Sequence, residues 1–213
     1  MARMLRFLSP LFLGWLAILA ALTAALGAAS CLPRSTWRAR LYFSALVQYH
    51  PALAAMLLLL AGFLLWHHLN TALALGGRRE DFYRASRLGS LGLTLAAWGL
   101  LRVAAALLPG ELPASWAILT SAAWPVFVLA LLSMVSLGSL MGALAYRYGH
   151  HLAAGGLTLL TAVGAGYDLF PLLTGAISVG DGAELISAAL WAAVLLAAGE
   201  LVSWSSMRSY RVM

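Results

Sequence analysis

The sequence has few of the residues that soluble proteins and disulfide scaffolds depend on. Its 213 residues include one cysteine and no lysine, and 9% are charged against 63% apolar. A single cysteine excludes an internal disulfide framework and any site built from several cysteines, such as an iron–sulfur cluster. So little charge cannot cover the surface of a soluble globule of this length. Any redox chemistry must therefore come from a bound cofactor.

The basic balance of the chain does not point to a nucleic-acid partner. The formal charge of +6 comes from thirteen arginines. Most of them lie between apolar runs, and arginines at the ends of membrane helices set the orientation of a protein in the bilayer. We therefore expect a lipid environment and no nucleic acid.

Long apolar runs predict an all-α, polytopic membrane helix bundle that forms a single domain over residues 1–213. Crossing a hydrocarbon core of about 30 Å takes about 20 helical residues. The first run is longer than the core of a secretory signal, which favours a retained helix over a cleaved one. Six segments meet the length requirement, at about 7–29, 50–75, 88–108, 115–146, 152–177 and 183–205.

The arginines divide unequally between the two sides that these six spans define. Three lie in the loop after the first span, at Arg34, Arg38 and Arg40. Nine lie on the other side, at Arg3, Arg6, Arg78, Arg79, Arg84, Arg87, Arg147, Arg208 and Arg211. Because the cytoplasmic side carries the excess of basic residues, both termini are predicted to be cytoplasmic, in a bacterial-type inner (plasma) membrane.

Histidines supply the first group of candidate site residues. The second span begins with His50 and ends near His67 and His68, and the turn after the fourth span holds His150 and His151. Lipid cannot solvate an imidazole, so each needs a partner. His50 is expected at the outer interface, bonded to water or a carbonyl. His68 is in register with His50, because eighteen residues make about five helical turns, and is expected to face the bundle.

The four histidines of the cytoplasmic half suit the axial ligation of a b-type haem. Pairing of His68 or His67 with His150 or His151 would hold the iron between two helices. Three alternatives remain open. Histidines with Glu200 could bind a divalent metal, although no HExxH motif is present. Glu200 and a histidine could exchange protons or handle a quinol. The same histidines could also simply bond to carbonyls.

Three charged residues within the spans form the second group. Arg102 and Asp168 fall at similar depths in the third and fifth spans, and Glu200 falls in the cytoplasmic half of the sixth. A paired charge costs less in lipid than a single one, so Arg102 and Asp168 are expected to pair. They either fasten two helices together or, with Glu200, line a proton or ion path.

These features predict an integral membrane subunit of a redox or electron-transfer complex, cytochrome b-like, with haem b and with quinol or proton handling near the cytoplasmic face. Because the chain has little mass outside the membrane, we expect other membrane-protein subunits as partners. Two alternatives stay open: a cofactor-free transport or assembly component, and a structural accessory subunit of a larger complex.

Overall fold

The computed structural model describes residues 1–31, 36–108, 114–148, 155, 169–174 and 182–209, and all regular structure in these ranges is helical. The helices are α1 (Ala2–Ser30), α2 (Trp37–Leu65), a 3₁₀ turn (Trp66–His68), α3 (Leu69–Ala74), α4 (Arg79–Leu107), α5 (Ala114–Thr120), α6 (Trp124–Tyr148), α7 (Leu169–Thr174) and α8 (Gly182–Ser209). The predicted all-α membrane bundle is confirmed.

Five apolar stretches within these ranges are long enough to cross a membrane, at Ala2–Ser30, Trp37–Ala74, Arg79–Leu107, Trp124–Tyr146 and Gly182–Arg208. The protein is therefore a multi-pass membrane protein in a lipid environment. The remaining predicted span, 152–177, lies outside the described residues except for Gly155 and α7.

Three helix boundaries differ from those expected, each for a local reason. Helix α2 begins at Trp37, where the Thr36 hydroxyl accepts a bond from the Ala39 N–H at 3.3 Å. Helix α4 takes in the charged stretch after Arg78, because acidic residues in its first turn favour a helix N-terminus. The predicted fourth span divides into α5 and α6, where the Ser121 hydroxyl accepts from the Ala123 N–H at 3.1 Å.

Helix α6 lies at the centre of the bundle, between α2 and α8. Glycines allow this close approach, as is usual in membrane bundles, where burial of apolar surface gives no driving force. A Cβ at Gly138 would collide with the Leu59 carbonyl oxygen, and one at Gly142 would lie 2.7 Å from the Phe63 carbonyl oxygen. On the α8 side, a Cβ at Gly199 would lie 2.7 Å from the carbonyl oxygen of Ser136.

These contacts also give the helix directions. Leu59 meets Gly138 and Phe63 meets Gly142, and the Tyr146 hydroxyl bonds to Asn70, so α2 and α6 run parallel. Helix α4 runs antiparallel to α8, since Arg79 donates to the Met207 carbonyl at 3.4 Å while Arg87 pairs with Glu200. The chain therefore leaves α6 at one end of the bundle and enters α8 at the opposite end.

One end of the bundle collects most of the arginines. The N-terminal amino group lies 3.2 Å from Asp81, which joins the start of α1 to the start of α4. Arginines at this end include Arg3, Arg6, Arg78, Arg79, Arg84 and Arg208, and we call it the arginine-rich end. This grouping agrees with the expected excess of arginines on one side of the membrane. That this side is cytoplasmic stays a prediction.

Pro51 lies inside α2 rather than in its first turn. Because proline has no N–H, the carbonyl of Val47 four residues earlier loses its helical donor. The indole Nε1–H of Trp116, on α5, donates to this carbonyl at 2.9 Å. The N–H that α2 lacks at Pro51 is thus replaced by a hydrogen bond from α5. Lipid contains no water that could satisfy the carbonyl instead.

We expect Gly138→Ala to lower the free energy of unfolding by about 1–3 kcal/mol, because its methyl group would push α2 away from α6. Gly92→Ala is the matched control, since no atom lies within 4 Å of a Cβ placed there. That substitution should be neutral or stabilising by up to about 1 kcal/mol. Reversible unfolding in detergent micelles measures both, and equal effects would contradict a tight α2–α6 contact.

Trp116→Phe should cost about 1–3 kcal/mol by leaving the buried Val47 carbonyl without a donor. In a Pro51→Ala background the same substitution should cost clearly less, because alanine restores the N–H that this carbonyl lacks. The double-mutant cycle, measured by the same unfolding assay, gives the coupling. Additive effects would show that the indole does not replace the N–H that is missing at Pro51.

Candidate functional site

The candidate site lies where α4, α6 and α8 meet, towards the arginine-rich end. Tyr83 and Arg87 are four residues apart on α4 and therefore share one face of that helix. Ser136 and Ser139 are three residues apart on α6, and Glu200 projects from α8. We call these five residues the Arg87–Glu200 cluster.

The Glu200 carboxylate receives a contact from each neighbouring helix. Arg87 Nε lies 2.9 Å from Glu200 Oε2, but its N–H is not directed at that oxygen, so this contact is an ion pair without a linear hydrogen bond. The Tyr83 hydroxyl donates to the same oxygen. The Ser136 hydroxyl lies 3.4 Å from Oε1 and 3.2 Å from the carbonyl of Leu196.

Arg87 has two further contacts that fix its position. Its Nη1 donates to the Ser139 hydroxyl at 3.3 Å, and its guanidinium carbon lies 4.9 Å from the centre of the Tyr83 ring. The Arg87 and Glu200 side chains are 19% and 33% exposed, respectively. Inside a membrane-spanning helix each charge alone would be costly, and the pairing with the ring contact offsets that cost.

A cavity of about 280 Å³ opens beside the cluster, and we call it the side cavity. One part of its wall is apolar, formed by Leu91, Leu132, Val135 and Leu196, and the other part is polar, formed by Arg87, Ser90, Ser136 and Glu200. Ser90 is 3% exposed and its hydroxyl has no hydrogen-bond partner. Arg87 Nε, by contrast, already lies 2.9 Å from the Glu200 carboxylate.

The side cavity therefore combines one unused donor, the Ser90 hydroxyl, with a carboxylate that can accept. Buried polar groups in proteins are almost always satisfied, so an unpaired donor in a cavity wall points to a partner outside the chain. A suitable ligand offers an oxygen to Ser90 and carries an apolar body.

Of the sequence-predicted residues, Glu200 lies in the cluster and the histidines lie elsewhere. His67 is exposed and meets Phe63 edge-on at 5.6 Å between ring centres. His68 is half-buried and meets Phe7 of α1 edge-on at 6.5 Å. His68 was expected to face the bundle because a continuous α-helix would align it with His50. A 3₁₀ turn at Trp66–His68 interrupts that α-helix.

Three predicted site residues, His150, His151 and Asp168, lie outside the described residues. The haem pairing of His68 or His67 with His150 or His151 and the Arg102–Asp168 pair therefore stay predictions. Arg102 is exposed, and its guanidinium carbon lies 5.4 Å from the centre of the Trp98 ring. Within the described ranges no three histidine, cysteine or acidic side chains come together as a metal site.

His50 is not an interfacial side chain. It is 1% exposed and stacks on Trp116, with ring centres 5.9 Å apart and planes 10° apart. The burial of His50 follows from the missing N–H at Pro51. The indole of Trp116 donates to the Val47 carbonyl, and the same indole covers the neighbouring imidazole. His50 Nδ1 has no hydrogen-bond partner among the described residues.

Sequence reasoning missed four of the five cluster residues, and missed Ser90 as well. Arg87 was expected in a loop, because the third predicted span begins only at residue 88, after a charged stretch. Two patterns in the sequence could have indicated these residues. One is a single helical face that carries Tyr83, Arg87, Ser90 and Thr94, and the other is the three-residue spacing of Ser133, Ser136 and Ser139.

Comparison with known proteins supplies no identity for the chain. No family model matches the sequence, and neither a curated protein nor a solved structure matches it. The function must therefore be argued from the site.

We expect Glu200→Gln to lower the free energy of unfolding by about 1–3 kcal/mol, because it leaves the half-buried Arg87 charge without its counter-ion. Glu80→Gln is the control, since Glu80 pairs with Arg84 at 2.6 Å on the exposed surface of the same bundle. That pair should contribute only about 0.3–0.5 kcal/mol. Equal losses in detergent unfolding would show that Glu200 behaves as a surface carboxylate.

Proposed function

We propose that this protein is an integral membrane subunit of a redox complex, and that the side cavity binds the ring of a quinone or quinol. The observation that carries the proposal is the unpaired hydroxyl of the buried Ser90, which lines one cavity together with Arg87 and Glu200. Both oxidation states of such a ring match this arrangement of donor and acceptor.

The polar wall suits the ring oxygens. A quinone carbonyl can accept from the Ser90 hydroxyl, which would satisfy this donor, with the positive charge of Arg87 beside it. A quinol hydroxyl can donate to Glu200, whose carboxylate oxygens accept only. Carboxylates inside membrane spans commonly belong to proton relays, which is the role that quinol oxidation requires.

The apolar wall suits the body of the same ligand. Leu91, Leu132, Val135 and Leu196, which line the cavity, would face the ring and the start of an apolar tail. The volume of about 280 Å³ lies just below the range of about 300–1,000 Å³ common for small-molecule sites, which favours a single ring. Leu91 is 41% exposed, so the cavity borders the lipid-facing surface from which such a ligand would enter.

Electron transfer would need further parts. A haem b on His68 or His67 with His150 or His151 would supply one-electron chemistry, and this ligation rests on the sequence pattern alone. Other membrane subunits would supply the remaining acceptors. A cofactor-free transport or assembly component and a purely structural accessory subunit are the competing functions, and neither calls for an unused donor in a cavity beside the carboxylate.

Binding of a short-chain benzoquinone, followed by quenching of tryptophan fluorescence in lipid nanodiscs, tests the proposal. Ser90→Ala should weaken binding about five- to tenfold, the loss expected for one hydrogen bond in a dry site. Thr94→Ala is the matched control, because Thr94 is 0% exposed and its hydroxyl is also unpaired, but it does not line the side cavity.

The control should leave the Kd within about twofold of the starting protein. The proposal is wrong if no saturable binding occurs, or if Ser90→Ala and Thr94→Ala change the Kd by the same factor. An absorption spectrum of the purified protein without reducible Soret and α bands would remove the haem and leave the quinone site to stand alone.

A further inference from the structure

A second cavity lies on the other side of the Glu200 carboxylate. Its volume is about 390 Å³, and we call it the end cavity because it opens at the arginine-rich end. Glu80 and Arg84, both largely exposed, form its outer rim. Tyr83 and Trp204, both half-buried, and the exposed Leu201 complete the wall. An exposed ion pair at the rim places this cavity in contact with water.

Glu200 is the residue that lines both cavities. Ser90 and Ser136 line the side cavity alone, while Tyr83 and Trp204 line the end cavity alone. The carboxylate therefore lines both a cavity that reaches the surface at the apolar Leu91 and a cavity whose rim carries an exposed ion pair.

Tyr83 lies beside Glu200 in the wall of the end cavity. Its hydroxyl donates to Glu200, the Arg87 guanidinium covers its ring at 4.9 Å, and Trp204 packs on it with ring centres 4.9 Å apart. Arg208 in turn lies over the Trp204 ring at 4.6 Å. These contacts hold the phenol ring in one orientation, as a partition.

We infer that water reaches Glu200 from the arginine-rich end, and that Tyr83 closes the end cavity off from the side cavity. Glu200 is then a proton-transfer site between the two. The ligand side of this inference rests on the proposed function, whereas water access and the partition do not. A bulky aromatic barrier keeps water from the ligand, while a shared carboxylate lets a proton cross.

The proton balance follows from the chemistry of a quinol. Each of its two protons leaves a ring hydroxyl, forms the O–H of the Glu200 carboxyl and then passes to water in the end cavity. The two electrons would leave the ring one at a time, for one-electron acceptors in a partner subunit. Protons would therefore be released at the arginine-rich end.

Thiol labelling of the full chain in proteoliposomes tests the inference. The exposed Cys31 is first replaced by serine, so that each variant carries one thiol. A membrane-impermeant, charged methanethiosulfonate is then supplied to the arginine-rich side. Glu200→Cys should react within about threefold of the rate of Arg84→Cys at the exposed rim, and Ser90→Cys should react at least about tenfold more slowly.

Replacing the partition should then expose the side cavity. Tyr83→Ala should speed labelling of Ser90→Cys by about tenfold or more, whereas Tyr83→Phe, which keeps the ring, should leave it slow. Thr94→Cys is the control for general loosening of the bundle, because Thr94 is as buried as Ser90 and lies outside both cavities. Its rate should not rise with Tyr83→Ala.

Three results would overturn the inference. Glu200→Cys that reacts as slowly as Ser90→Cys would exclude water access. A Ser90→Cys rate that Tyr83→Ala leaves unchanged would exclude the partition, and so would an equal rise at Thr94→Cys. None of these readouts contains a quinone, so failure of the proposed function appears separately, as absence of quinone binding.

Discussion

The ion pair between Arg87 and Glu200 is the interaction on which the rest of this site depends. Hydrocarbon cannot solvate either charge, so α4 and α8 must present them to each other at one depth. That requirement sets the axial register of two antiparallel helices. It also draws in Tyr83 and the serines of α6, because a half-buried pair is stable only when its remaining donors and acceptors are satisfied. The side cavity lies where these polar side chains bring α4, α6 and α8 together, and the end cavity lies between α4 and α8.

The packing of α6 makes that arrangement possible. Glycines bring α2 and α8 close to the backbone of α6, and Gly199 places α8 directly against Ser136. A larger residue there would move Glu200 away from its partners on α4. At the far end of the bundle, a missing backbone donor at Pro51 is compensated by Trp116 of α5. Both features follow from the absence of water, which forces every backbone group to find a partner within the protein.

The sequence was sufficient to predict the class of molecule and only part of the site. Apolar length is a property of a single segment, so a membrane helix bundle was predictable, and Glu200 stood out because a carboxylate in a span is rare. Its partners were not predictable in the same way, because pairing depends on which helices touch. Arg87 looked like a loop residue, and the helix was found to continue through it. The register of His68 with His50 assumed an unbroken helix, which the turn at Trp66–His68 interrupts, although His68 still packs against Phe7 of α1. His50 itself was expected at the interface, and its burial depends on a tertiary contact with α5.

Photo-crosslinking tests the central claim most directly, that a quinone ring binds between α4, α6 and α8. An azidoquinone is irradiated with the protein in nanodiscs, and the labelled peptides are identified by mass spectrometry. The account predicts adducts on the residues that line the side cavity, in α4 around Ser90, in α6 around Val135 and in α8 around Leu196, all of which an excess of unlabelled quinone removes. Labelling that is spread over the lipid-facing surfaces of α1 and α8 and is not displaced by quinone would contradict it.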